Sequence, residues 1–170
     1  MGRGRAAHRI GAGLNEFEPA PEIRAQAWLN APAPIRLSGL RGKVVVLHAF
    51  QMLCPGCVAH GTPQAVRIQQ TFSGTDVKLL GIHTVFEHHA VMGRPALEAF
   101  VHEYRLTFPI AIDQPTEGSA IPQTMHAYAL NGTPSLVLID RQGRLRLNHF
   151  GMIDDMELGA RIATLLAEAA

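Results

Sequence analysis

From Lys43 to Phe50 the chain is apolar almost without interruption, and its start is β-branched at Val44, Val45 and Val46. A run of that length without polar alternation predicts a strand buried on both faces. Val77 to Phe86 predicts a second buried strand. Between them Val58, Ala65, Ile68 and Phe72 fall on one face of a helix predicted to end near Gly74, with a kink at Pro63. Arg94-Pro95 opens another helix, whose Leu97, Phe100, Val101 and Tyr104 repeat at i, i+3, i+4 and i+7. That is the clearest amphipathic signal in the chain.

Phe108 to Ile112 predicts a short strand, followed by an irregular stretch from Asp113 to Gln123 that suits a lid or a partner surface. A short helix over 124–130 stops at Asn131-Gly132. Ser135–Ile139 and Arg144–Phe150 read as a hairpin joined by Asp140-Arg141-Gln142-Gly143. Asp154 and Glu157 have capping-box spacing before a last helix with Leu158, Ile162, Leu165 and Ala169 on one side. Alternation of strand and helix, then a hairpin and a helix, predicts an α/β fold with a mixed central sheet and helices on both faces.

The start of the chain is different. Residues 1–30 show no sustained period, and their first dozen, with Arg3, Arg5 and Arg9 among Gly and Ala, are expected to be mobile. They are read as an N-terminal extension, partly mobile, ahead of a single domain over 31–170 that begins with the extended Ala31-Pro32-Ala33-Pro34. At 47% apolar and 17% charged, the 170 residues suffice for one core. A formal net charge of +1 offers no bulk attraction to nucleic acid or to an acidic membrane surface. No run approaches the ~20 apolar residues of a membrane helix. No signal-length apolar stretch follows the early arginines, so the expectation is a soluble, cytoplasmic protein.

Two cysteines are present, Cys54 and Cys57. A disulfide closing so small a loop gains little from constraining the unfolded chain, which makes a structural staple a poor explanation. A tetrahedral metal site needs two further ligands, and no second cysteine pair exists. His83, His88 and His89 lie close in sequence, but only Glu87 stands beside them at ligand spacing. They are read as a polar loop with no metal, in a position from which the loop overlooks the cysteines. Redox chemistry is what the pair suits. No cofactor is expected.

Exchange needs a thiolate. Cys54 is predicted to open a helix, where unpaired N–H groups and the dipole favour an anion by ~0.3–1 kcal/mol. Cys54 is therefore the candidate nucleophile and Cys57 the resolving thiol. Pro55 suits the first helical turn because its missing N–H costs nothing there, and Gly56 completes the dipeptide between the sulfurs.

Lys43–Phe50 followed by Gln51-Met52-Leu53-Cys54-Pro55-Gly56-Cys57 resembles the strand–CxxC–helix start of the thioredoxin superfamily. Gly132-Thr133-Pro134 before Ser135–Ile139 resembles its second signature, a cis-proline ahead of a strand. The lead-in from Leu37 to Val45 is most similar to the TlpA/ResA-like thiol–disulfide oxidoreductases and their AhpC/TSA peroxiredoxin relatives. The likeness covers about residues 31–168. It implies a thioredoxin fold, a cis Thr133–Pro134 bond facing the cysteines, and a Thr133 backbone able to pair with an extended substrate segment.

This chain departs from that pattern in four places. Leu53 replaces the usual tryptophan, which implies a smaller, less aromatic substrate surface. His48 stands six residues before Cys54, where thioredoxins carry a buried acid. It is either a proton acceptor for Cys57 or a core histidine satisfied by the backbone. Pro63 comes one residue later than the family's helix proline, and His60 replaces a frequent glutamate.

The function implied is thiol–disulfide exchange with a protein disulfide or dithiol, served by a further thiol electron donor or acceptor. Two alternatives stay open. One is a thiol peroxidase, although its Pro-x-x-x-Thr-x-x-Cys pattern fails: Leu47 and Gln51 stand in the required places before Cys54, and Phe50 and Cys54 before Cys57. The other is a redox-inactive binding module on the same fold, against which the intact cysteine pair argues.

Overall fold

The computed structural model describes residues 17–169; the expected mobility of the first dozen residues lies outside them. Six strands form one mixed sheet in the order β1-β4-β3-β2-β5-β6. They are β1 (Ala25–Leu29), β2 (Val44–Phe50), β3 (Val77–His83), β4 (Ile110–Asp113), β5 (Ser135–Ile139) and β6 (Leu145–Phe150). β2 pairs in parallel with β3 and antiparallel with β5, and β3 pairs in parallel with β4. All seven residues of β2 are buried, as expected of a strand with neighbours on both edges and cover on both faces. Its alternation divides the core. Val44, Val46 and Phe50 face one side, with Val45 and Leu47 facing the other.

The parallel crossovers β2-α1-β3 and β3-α2-β4 step the same way along the sheet, and right-handed connection puts both helices on one face. There α1 (Thr62–Thr71) contributes Ala65 and Ile68, α2 (Arg94–Glu103) contributes Leu97 and Val101, and α4 (Asp155–Ala167) contributes Leu158, Ile162 and Leu165. The opposite face is covered by Leu37, Trp28 and Tyr128, the last beside the short α3 (Gln123–Ala127). Full burial of such side chains stabilises by ~1.5–3 kcal/mol each. Asp154 caps α4 by accepting the Met156 and Glu157 N–H groups at 2.9 and 3.2 Å, while Glu157 pairs forward with Arg161.

The expected domain boundary at residue 31 moves. β1 lies inside the stretch read as an extension, where it pairs antiparallel with β4. Small residues and a bulge between Ala25 and Ala27 hide its period. Upstream, Phe17 N–H donates to the Leu145 carbonyl at 2.7 Å, and the Arg146 guanidinium lies 4.7 Å over the Phe17 ring. Glu22 accepts the Leu37 and Ser38 N–H groups, each at 2.8 Å.

One further expectation changes. The strand expected to run to Phe86 stops at His83, and the Thr84 N–H makes the last ladder bond, to the Phe50 carbonyl at 3.0 Å. The loop between Asp113 and Gln123 closes at its base, with Gln123 N–H on the Gln114 carbonyl at 2.8 Å and Asp113 capping the Thr124 and Met125 amides.

Candidate active site

β2 ends in the centre of the sheet, and a buried turn at Gln51-Met52 carries the chain into the cysteine motif. The Cys54 N–H donates to the Gln51 carbonyl at 3.1 Å, and residues 55–61 are helical. Cys54 is the cap of this helix in both senses. Its carbonyl accepts the Val58 N–H at 3.0 Å, and its sulfur accepts the Cys57 N–H at 3.2 Å. Pro55 fills the first helical position, where it lacks nothing it needs.

Helical bonding is then interrupted. A π-helical turn spans Cys57–Gly61, and the Thr62 N–H bonds the Cys57 carbonyl five residues back. Pro63 supplies the cause, since it has no N–H for the Ala59 carbonyl and its ring crowds that oxygen. The expected kink is thus a π turn just ahead of the proline, with Pro63 at the start of α1.

The two sulfurs have different surroundings. Cys54 is half-buried, whereas Cys57 has no exposed surface. Both are free thiols. Burial, and then the neighbouring Cys54 sulfur, push the Cys57 thiol up to about 12, against the pull of the Gln51 backbone amide and the Thr133 hydroxyl. The thiol of Cys54 donates to the Thr133 carbonyl at 3.4 Å. Cys54 is the sulfur a partner can reach, and Cys57 waits behind it with its proton.

The Thr133–Pro134 peptide bond is cis. The Pro134 ring lies against the helix start so closely that a Cβ at Gly56 meets its Cδ at 3.3 Å. At Gly61 a Cβ meets Pro134 Cβ and His48 Cε1, each at 2.9 Å. Glycine at 61 therefore lets the helix, the proline and the histidine touch. Leu53 is 55% exposed beside Cys54 and presents an apolar side chain to solvent.

His48 points from β2 toward the α1 face. Its Nε2 shares a hydrogen bond with Thr62 Oγ1 at 3.3 Å, and its ring stacks on Phe50 at 5.1 Å. Burial lowers its pKa to about 4. The partner of the ring is a side-chain hydroxyl and not the backbone. His48 also lines a cleft of about 310 Å³ with Gly61, Pro134, Gln64 and Met152. His60 is exposed at its rim.

The three histidines of 83–89 separate. His88 and His89 are exposed, but His83 is buried and its Nε2 accepts the Met52 N–H at 3.3 Å. Gln51, also buried, accepts the Phe86 N–H at 3.1 Å and donates to Glu87 at 3.3 Å. The sequence reading gave Gln51 no part in the site and placed His83 only in a loop overlooking the cysteines. Among the described residues no group of three His, Cys, Asp or Glu side chains is placed to hold a metal ion, and no helix is long and apolar enough to cross a membrane.

Comparison with known proteins agrees with this geometry. The AhpC/TSA family model matches residues 18–148. The chain belongs to the AhpC/TSA family. A crystal structure of a thioredoxin-like superfamily protein superposes with a TM-score of 0.87 at 54% identity, covering 89% of this chain and 98% of that one. A thiol–disulfide isomerase from Corynebacterium glutamicum superposes with a TM-score of 0.85 at 48% identity, covering 89% and 97%. The thiol–disulfide oxidoreductase ResA of Geobacillus thermodenitrificans is 28% identical over 113 residues, covering 65% of this chain and 56% of its own. The chain spans 22% of the length of the first curated relatives it matches and 56% of ResA. The fold is that of the thioredoxin superfamily, as the cysteine and Thr-Pro motifs implied.

Proposed function

We propose that this protein is a thiol–disulfide oxidoreductase acting on protein disulfides through Cys54 and Cys57. One observation carries the reading: the reachable sulfur caps a helix through the Cys57 N–H and lies against Thr133, with the second sulfur buried behind it. The chemistry of the relatives supports it.

In the reductive direction the Cys54 thiolate attacks one sulfur of a substrate disulfide. A Cys54–substrate disulfide forms, and the other substrate sulfur leaves with the bonding electron pair as a thiolate. Cys57 then loses its proton to solvent and attacks the Cys54 sulfur. The intramolecular disulfide forms, and the second substrate sulfur departs reduced. Two electrons have passed from the protein dithiol to the substrate, and a partner dithiol restores the resting pair by the same steps in reverse roles. Leu53, Thr133 and Pro134 make the surface on which the substrate rests, with the Thr133 backbone pairing with an extended segment.

Incubation of Cys57→Ser with a disulfide protein such as insulin is the direct test. The expected product is a mixed disulfide on Cys54 that reducing agent releases, and Cys54→Ser gives none. Rapid loss of hydrogen peroxide with no disulfide reduction by the wild type would hand the chemistry to a peroxidase instead. Loss of neither would leave a binding module.

A further inference from the structure

We propose that His83 is a positioning residue of the dithiol site, holding the turn that carries the cysteines from a distance. The end of β2 and the turn after it are stitched to the end of β3 and the segment that follows by four hydrogen bonds. Thr84 N–H reaches the Phe50 carbonyl at 3.0 Å, Phe86 N–H reaches Gln51 Oε1 at 3.1 Å, Gln51 Nε2 donates to Glu87 at 3.3 Å, and Met52 N–H reaches His83 Nε2 at 3.3 Å. Gln51 in turn accepts the Cys54 N–H on its carbonyl at 3.1 Å, and the Cys57 N–H donates to the Cys54 sulfur at 3.2 Å. What fixes residues 51 and 52 therefore fixes both sulfurs.

His83 supplies the one side-chain acceptor in this set for the buried Met52 amide. A ring nitrogen that accepts carries no proton, so His83 is neutral with its proton on Nδ1. Burial favours the neutral ring and keeps the Nε2 lone pair available through neutral pH. The ring is seated by Phe50, tilted against it at 5.3 Å, and is 1% exposed. A leucine of similar bulk would fill the space and leave the Met52 N–H unpaired. A glutamine can place Oε1 near the lost nitrogen.

This inference concerns the reactivity of Cys54 and rests on the exchange reading only for its meaning. It is tested by the rate at which Cys54 is alkylated by iodoacetamide at neutral pH in folded Cys57→Ser protein, with and without a change at His83. His83→Leu is expected to slow alkylation about ten-fold, the factor carried by one lost hydrogen bond, and His83→Gln to recover most of it. Equal rates in the parent and the leucine variant, or no recovery by glutamine, would overturn the proposal. Should His83→Leu fail to fold, nitrogen NMR of the unsubstituted histidine decides: a proton on Nε2 overturns the assignment, and a proton on Nδ1 with a hydrogen-bonded Met52 amide supports it. Failure of disulfide reduction by the wild type would count against the function and leave this measurement intact.

Discussion

The sulfur of Cys54 accepts the backbone N–H of Cys57 at 3.2 Å, so the first cysteine caps the helix that the second one lies on. A helix N-terminus favours electron-rich caps, and the Cys54 sulfur is the side-chain atom placed there. Half-exposure of Cys54 against full burial of Cys57 then separates their reactions. A brief treatment of the reduced protein with iodoacetamide at neutral pH should label Cys54 alone, read by peptide mass spectrometry. Comparable labelling of Cys57 in folded protein would refute the division of roles.

Gly61 is a point of close approach with no spare volume. An alanine there drives its methyl into His48 and Pro134, each 2.9 Å away, and neither is the loose end of a flexible side chain. Gly61→Ala should destabilise by ~1–3 kcal/mol, the usual range for overpacking, in denaturant unfolding. It should also slow insulin reduction, because the displaced proline borders the reactive sulfur. Gly39→Ala, with open space around it, is the control expected to leave exchange unchanged.

His48 and His83 make stability depend on pH. Burial lowers each from 6.5 to about 4. Between those values the unfolded chain binds protons that the folded one refuses, so stability is fully present above pH 6.5 and is lost as pH falls toward 4. The expected slope approaches ~1.4 kcal/mol per pH unit for each ring. Urea titrations at several pH values should show it, and His48→Leu should flatten it by about half. The pH profile of insulin reduction should keep its midpoint in His48→Leu. A displaced midpoint would make His48 the proton acceptor of Cys57.

Leu53 offers an apolar side chain, 55% exposed, beside the nucleophile. Leu53→Glu should raise KM for a protein disulfide several-fold, since a hydrophobic contact of that size carries ~1–2 kcal/mol, with kcat little changed. An unaltered KM would remove Leu53 from the substrate surface.

Much of this molecule was readable before any coordinates. β2 announced itself because a central strand needs no polar face, and α2 because its apolar stripe meets the sheet on one side only. The cysteine pair and Thr133-Pro134 were legible as motifs of fixed local spacing. β1 was not, since Ala25 and Ala27 leave no hydrophobic signal and the bulge between them breaks the period. Val85 and Phe86 misled in the other direction: they are partly buried, Val85 against the core, in a loop, so apolar character ran past the strand's end. The tethers at Gln51 and His83 span more than thirty residues of chain. Contacts of that separation arise from register between β2 and β3 and leave no local trace.

The resting thiol of Cys54 gives its only hydrogen to the carbonyl of Thr133. Ionisation withdraws that hydrogen and frees one lone pair of the Thr133 oxygen at the moment the sulfur becomes able to attack. An incoming peptide amide can then occupy the vacated acceptor. Under the exchange proposed for this pair, the loss of one proton would both arm the nucleophile and open a place for the target's backbone.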